Sequence, residues 1–179
     1  MPKQRFSILI DQTWDEMVER EPLLLFSFYL SGRNNILLEL SDEIIENLDK
    51  AFSTSSILQH EFIDKASTLI WLWTLGAYEV IRTICQAEKC FSPSFIETAK
   101  QLKKQLAFVR MPNAKMEEVG KKKPVNSDRS PDGLDVDNKD LLIGDPESPV
   151  SARALINTYN QTMTSLTKND VVGHHSESY

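Results

Sequence analysis

The one concentration of positive charge in this chain lies between residues 100 and 123, where Lys and Arg outnumber Asp and Glu by six. Residues 1–99 carry a net charge of −7 and residues 124–179 a net −5, so the chain as a whole stands at −6. Within the basic stretch Arg110 and Lys115 enclose Met-Pro-Asn-Ala, and Lys103, Lys104 and Lys121 flank them. A guanidinium presents parallel N–H donors that match two oxygens of a phosphate, and an ammonium adds a point charge. These five residues are therefore candidate phosphate contacts, with affinity that falls steeply as salt rises. The same charges also serve as a solvated helix face opposite the acidic residues of 124–147. Phe108 is the single ring in the stretch, which gives base stacking little to work with.

A second pair, Glu79 and Arg82, sits three positions apart in an otherwise apolar segment. On a helix such residues are neighbours, placed either to orient a ligand in a cleft or to form an ion pair at the core edge. Other chemistry is excluded by residue type. Asp128, Ser130, Asp132 and Gly133 match the first positions of a calcium loop, but the twelfth position is Lys139, a cation where a bidentate carboxylate is required. His174, His175 and Glu177 share a terminal segment, His60 stands alone, and no zinc-ligand spacing exists, so neither metal nor cofactor is expected. Nucleotide cradles rich in glycine and the G-x-S-x-G elbow are absent from a chain with six glycines in total. With His60 the one histidine in the expected core, no nucleophile–base pair can be assembled and no catalytic residue is assigned.

The elements that must position these residues are helical. Phe62, Ala66, Leu69, Trp73, Ala77, Val80 and Ile84 recur at spacings of three and four, and Ile63, Ile70 and Ile81 widen the stripe. The pattern predicts a long helix from about 57 to 89, apolar enough to lie at the centre of a bundle. Ser92-Pro93 is a helix start, and Phe95, Ile96, Ala99, Leu102, Leu106 and Val109 form its buried side until Pro112 ends or kinks it. Ser148-Pro149 starts another, with Ala152, Leu155, Ile156, Tyr159, Met163 and Leu166 on one face. Earlier, residues 6–10 suggest an extended lead-in and 11–21 a short helix. Residues 23–30 are apolar without a period, 31–35 have turn chemistry, and Ser41 caps a helix running to Phe52. Residues 120–147 read as a long loop holding a short strand at 141–143.

The Leu-Lys-Lys-Gln-Leu-Ala-Phe-Val segment (102–109), followed by Arg110, four residues and Lys115, resembles the motif helix of the HEPN superfamily of helical bundles. Trp73-Thr-Leu-Gly-Ala-Tyr-Glu-Val-Ile-Arg82 resembles the helix that precedes it there. The resemblance spans roughly residues 57–116. It implies a phosphate-binding role for Arg110, a homodimer with the site at its seam, and nucleotide or RNA as ligand. It also implies lost catalysis, because Lys115 stands where those domains carry a histidine. A lysine of ordinary pKa is charged at neutrality and holds a phosphate without acting as a base.

The sequence thus predicts an all-α bundle of four to six helices with a long central helix and a short strand pair at the rim. One domain is expected over 1–167, with a flexible tail over 168–179. The longest uncharged stretch, Ala66 to Tyr78, is 13 residues, short of the roughly 20 that span a bilayer. With no apolar leader and two cysteines, a cytoplasmic protein without membrane contact is expected. Two functional readings stand side by side: a HEPN-like, non-catalytic phosphate-binding module, and a helical interaction protein that self-associates through residues 23–30 or the Trp71 side of the central helix. A HEPN-type RNase is a third, and it requires cleavage without the motif histidine.

Overall fold

A computed structural model describes residues 12–53, 58–115, 117, 123–124 and 132–177. The elements run α1 (Trp14–Arg20), α2 (Leu23–Phe26), α3 (Phe28–Ala51), α4 (His60–Gln86), α5 (Pro93–Lys115), β1 (Asp132–Asp135), β2 (Asp140–Ile143), β3 (Val150–Ser151) and α6 (Ala152–Ser165). The architecture is a helical bundle with a small antiparallel sheet in the order β1-β2-β3. The bundle, the long central helix and the rim strands follow the expectation, with three strands where two were expected. The extended lead-in at 6–10 lies outside the described residues.

The central helix α4 packs between α3 and α5, because its stripe is wide enough to bury two sides. Ala66, Ile70, Trp73, Ala77, Ile81 and Ile84 are fully buried. At roughly 1.5–3 kcal/mol for each large apolar side chain removed from water, this helix dominates the burial energy. Helix α6 closes the bundle with the face the sequence indicated: Ala152, Leu155, Ile156, Tyr159 and Met163 are all buried. Ser151 caps it by accepting the Ala154 amide at 3.0 Å, and the buried Asp140 carboxylate accepts both the Ser151 hydroxyl and the Leu141 amide.

Two expectations are corrected, one for α3 and one for the end of α5. Residues 31–35 form no turn. Helix α3 runs unbroken from Phe28 to Ala51, capped by Ser27 rather than Ser41, and Ser31, Asn34, Asn35 and Ser41 are buried within it. Asn35 donates to Glu21 at 2.7 Å and Asn34 accepts from Tyr159 at 2.9 Å. Tertiary partners thus satisfy side chains that would otherwise turn back on their own backbone. Of the two alternatives for Pro112, an end of the helix is excluded, since α5 continues for three residues beyond it. Finally, residues 168–177 of the tail make hydrogen bonds and a ring contact with the body. Ser92 donates its amide to the Asp170 carbonyl at 2.8 Å, Val172 donates to Cys90 at 2.9 Å, and the His175 ring meets the edge of Phe26 at 5.5 Å.

Candidate functional site

Helix α5 presents its buried side to α4 and holds its cations on the remainder of its circumference. At 100° per residue, Lys103 and Arg110 fall about 20° apart around the axis, and so do positions 104 and 115. The two sets diverge from one another by roughly 100–140°. The basic stretch therefore splits between two faces. The structure brings Arg110 to the α4 edge, while Lys104 lines a shallow groove with Phe108, Val150 and Leu155 on the other side. Lys115 closes α5, with its side chain outside what is described, and Lys121 lies outside the described residues altogether.

At the α4 edge two separate sequence candidates converge. The Arg110 guanidinium stacks over the Tyr78 ring at 4.7 Å, and its Nη2 stands 4.0 Å from the Glu79 Oε1. Glu79 is committed more closely to Arg82, which reaches its Oε2 through Nε at 2.8 Å and Nη2 at 2.7 Å. Both partners of that pair are about half exposed, so it contributes at most about 1 kcal/mol. It works instead as an electrostatic fence beside Arg110. Ten residues earlier on α5, Lys100 is bound to Glu88 at 2.6 Å, which raises its pKa and lowers that of the glutamate. Neither Lys103 nor Lys104 has a carboxylate within salt-bridge distance among the described residues.

Two buried donors here lack partners. Arg110 Nε and Asn113 Nδ2 are both shielded from solvent and make no hydrogen bond among the described residues. Asn113 is 92% buried and accepts the Gly144 amide through Oδ1 at 3.3 Å, which fixes the orientation of its side-chain amide and leaves Nδ2 outstanding. Leaving such a donor unpaired costs roughly 1–3 kcal/mol, so the protein sustains two of them one helical turn apart. Sequence reasoning passed over Asn113. Its position three residues after Arg110, on the same side of the helix, was the available signal.

A second surface lies between α3 and α4. It is an open groove of about 820 Å³ whose walls are mostly apolar, with Leu37 and Gly76 at its floor. Phe28 and Tyr29 on one rim are 78% and 66% exposed, and Ile36 is 57% exposed. Among the described residues no cluster of metal-ligating side chains occurs, and no helix is long and apolar enough to cross a membrane.

No family model, curated protein or solved structure matches this chain.

Proposed function

We propose that this chain is a helical binding module that receives a phosphate-type anion, on a nucleotide or RNA, at the edge of α4 and α5, with Arg110 as the principal contact. The observation that carries the reading is the partly exposed Arg110 guanidinium, held over the Tyr78 ring at 4.7 Å while its Nη2 stands as far as 4.0 Å from the nearest carboxylate among the described residues. The Tyr78 ring holds the plane of the guanidinium, and Glu79 engages one terminal nitrogen at 4.0 Å. An oxyanion that reaches the exposed terminal nitrogens then gains charge-assisted hydrogen bonds that no carboxylate among the described residues makes at close range. Lys103, on the same side of α5, contributes longer-range attraction. The HEPN-like Arg-x4-Lys motif supports the same ligand class, and the lysine in place of histidine favours binding over cleavage.

The test is a titration of single-stranded RNA and of a nucleoside triphosphate at two salt concentrations. Wild-type binding should weaken with salt, with a log–log slope near −0.7 for each neutralised phosphate. Arg110→Ala should lower affinity and flatten that slope by about 0.7. Binding indifferent to Arg110→Ala, or none at low salt, ends the reading. RNA degradation by metal-free protein would replace it with a nuclease.

A further inference from the structure

We infer that the ligand at the α4–α5 edge is an unpaired nucleotide strand, and that Trp71 is the ring on which one of its bases stacks. The inference rests on the phosphate reading of Arg110. The basic stretch holds one ring of its own, Phe108, and that ring lies in the groove on the opposite side of α5. Helix α4 supplies what α5 lacks. Tyr78 already gives one face to the Arg110 guanidinium at 4.7 Å. Trp71 stands seven residues before it, about 20° away around the axis and about 10 Å along it. The two rings therefore share the side of α4 that meets Arg110. Trp71 is 42% exposed, whereas Trp73, two residues on, is fully buried in the core. Among the described residues no cation or second ring stacks on Trp71. An exposed indole beside a phosphate site offers its face to a base.

Spacing decides the form of the ligand. Lys103 precedes Arg110 on α5 by seven residues, again about 20° around the axis and about 10 Å along it. Glu88 meets Lys100 and Tyr78 meets Arg110, so α4 and α5 run antiparallel. Lys103 thus lies beyond Arg110 on the side away from Trp71. The order along the edge is Lys103, Arg110, Trp71, over about 20 Å. That span suits about four nucleotides, the short end of single-strand site sizes. Free phosphate reaches Arg110 alone. A duplex keeps its base faces inside the stack, where an indole cannot meet them. An extended single strand sets phosphates on the two cations and a base on Trp71. An apolar protein partner at Trp71 would leave both cations unused.

Fluorescence anisotropy of a labelled oligoadenylate RNA with the full chain tests the proposal, with circular dichroism to establish that each variant folds. Wild type should bind the single strand at least about tenfold more tightly than the same strand annealed to its complement. Trp71→Ala should weaken single-strand binding by about tenfold at every salt concentration, because it removes stacking and no phosphate contact. Trp71→Phe keeps a ring and should stay within about threefold of wild type. Lys103→Ala should instead flatten the salt slope by about 0.7. Inorganic phosphate, followed by urea melts, should stabilise wild type and Trp71→Ala alike. Single-strand binding that Trp71→Ala leaves intact overturns the proposal, as does a duplex bound as tightly as the strand. If Trp71→Ala also loses the response to phosphate, the indole acts through the fold and the proposal is overturned. In the first two of these outcomes phosphate still acts through Arg110, so the anion site stands without the base. Loss of the phosphate response from wild type removes both.

Discussion

The indole Nε1 of Trp73 donates to the Ser41 hydroxyl at 2.9 Å, and the same ring meets Tyr159 edge-on at 5.3 Å. Both rings are fully buried. Three helices, α3, α4 and α6, are thereby joined through polar atoms at the middle of an apolar core. Trp73→Ala is expected to destabilise the fold by about 3–5 kcal/mol, through cavity formation and the loss of these bonds. Ser41→Ala should cost only about 1 kcal/mol, because the Leu37 carbonyl, at 3.2 Å, still accepts the indole N–H. Urea unfolding followed by circular dichroism separates the two. Equal losses would mean that the hydroxyl organises the core.

Tyr159 sets an alkaline limit. Burial pushes its phenol far above the ordinary range, while its hydroxyl donates to Asn34 at 2.9 Å. Below about pH 10 both folded and unfolded chains keep the proton, and the contribution is constant. As pH rises past the unfolded value, the unfolded chain loses its proton and the folded one does not. Stability therefore falls, by up to about 1.4 kcal/mol per pH unit from this group. Tyr159→Phe should remove that part of the decline. It should also cost about 1–3 kcal/mol at neutral pH, since Asn34 Oδ1 is left buried without its donor. Denaturant melts at pH 7 and above pH 10 measure both effects.

The docked tail has an acid limit. Ser92 donates to Asp170 Oδ1 at 2.6 Å and Thr167 donates to Oδ2 at 2.7 Å, and these bonds, the Ser92 one foremost, hold the Asp170 carboxyl below its usual value. Tail stability is therefore present above the ordinary carboxylate range and is lost as pH falls through the depressed folded value. Ser92→Ala removes that acceptor's main donor and also uncaps α5, at a cost of about 1 kcal/mol. Hydrogen exchange at the Val172 amide, which is bonded to the Cys90 carbonyl, should accelerate in this variant and at low pH in wild type. Unchanged exchange at Val172 would show that the apolar contacts of the tail suffice.

How much of this was legible in the sequence depended on where each residue's partner sits. The stripe on α4 and the faces of α5 and α6 were readable because burial at a period of 3.6 leaves a local trace. In α3 that trace is interrupted by Ser31, Asn34, Asn35 and Ser41, whose partners are Glu21, Tyr159 and Asn160. Those contacts span 10 to 125 positions, so local propensity pointed to a turn and tertiary structure overrode it. Tail docking was hidden for the same reason. At the candidate site, Arg110 stood out by charge and Glu79 by its apolar surroundings. Their meeting across α4 and α5 required coordinates. The division of the lysines between two faces was available from helical spacing, once α5 was known to run through Pro112.

Gly144 tests the seat of the sheet. Its φ of 96° belongs to a region that side chains avoid, which is the cost here, since a Cβ would make only an ordinary contact with the Val109 backbone at 3.5 Å. Gly144→Ala should destabilise by about 1–3 kcal/mol and disturb the amide that Asn113 accepts. Gly76→Ala provides the contrast. The close atom there is the end of the flexible Leu37 side chain, and alanine gains roughly 1 kcal/mol of helix propensity. Thermal unfolding should show a loss at 144 and little change at 76. A loss at 76 as large as that at 144 would mean that Leu37 is immobilised at the groove floor.

Arg110→Met separates a functional residue from a structural one. Methionine keeps an unbranched stem to lie on Tyr78 and removes the guanidinium with its unpartnered Nε. A residue retained for the fold should cost several kcal/mol when replaced. Here the loosely held 4.0 Å pair with Glu79 contributes at most about 1 kcal/mol, while removing a buried, unsatisfied donor recovers about 1 kcal/mol or more. The expected outcome is unchanged or slightly raised stability in urea, together with lost anion binding. Phosphate should stabilise the wild type in the same melts by mass action and leave the variant unmoved. A variant destabilised by 3 kcal/mol or more, with phosphate acting equally on both proteins, would assign Arg110 to the architecture and leave the anion without its principal contact.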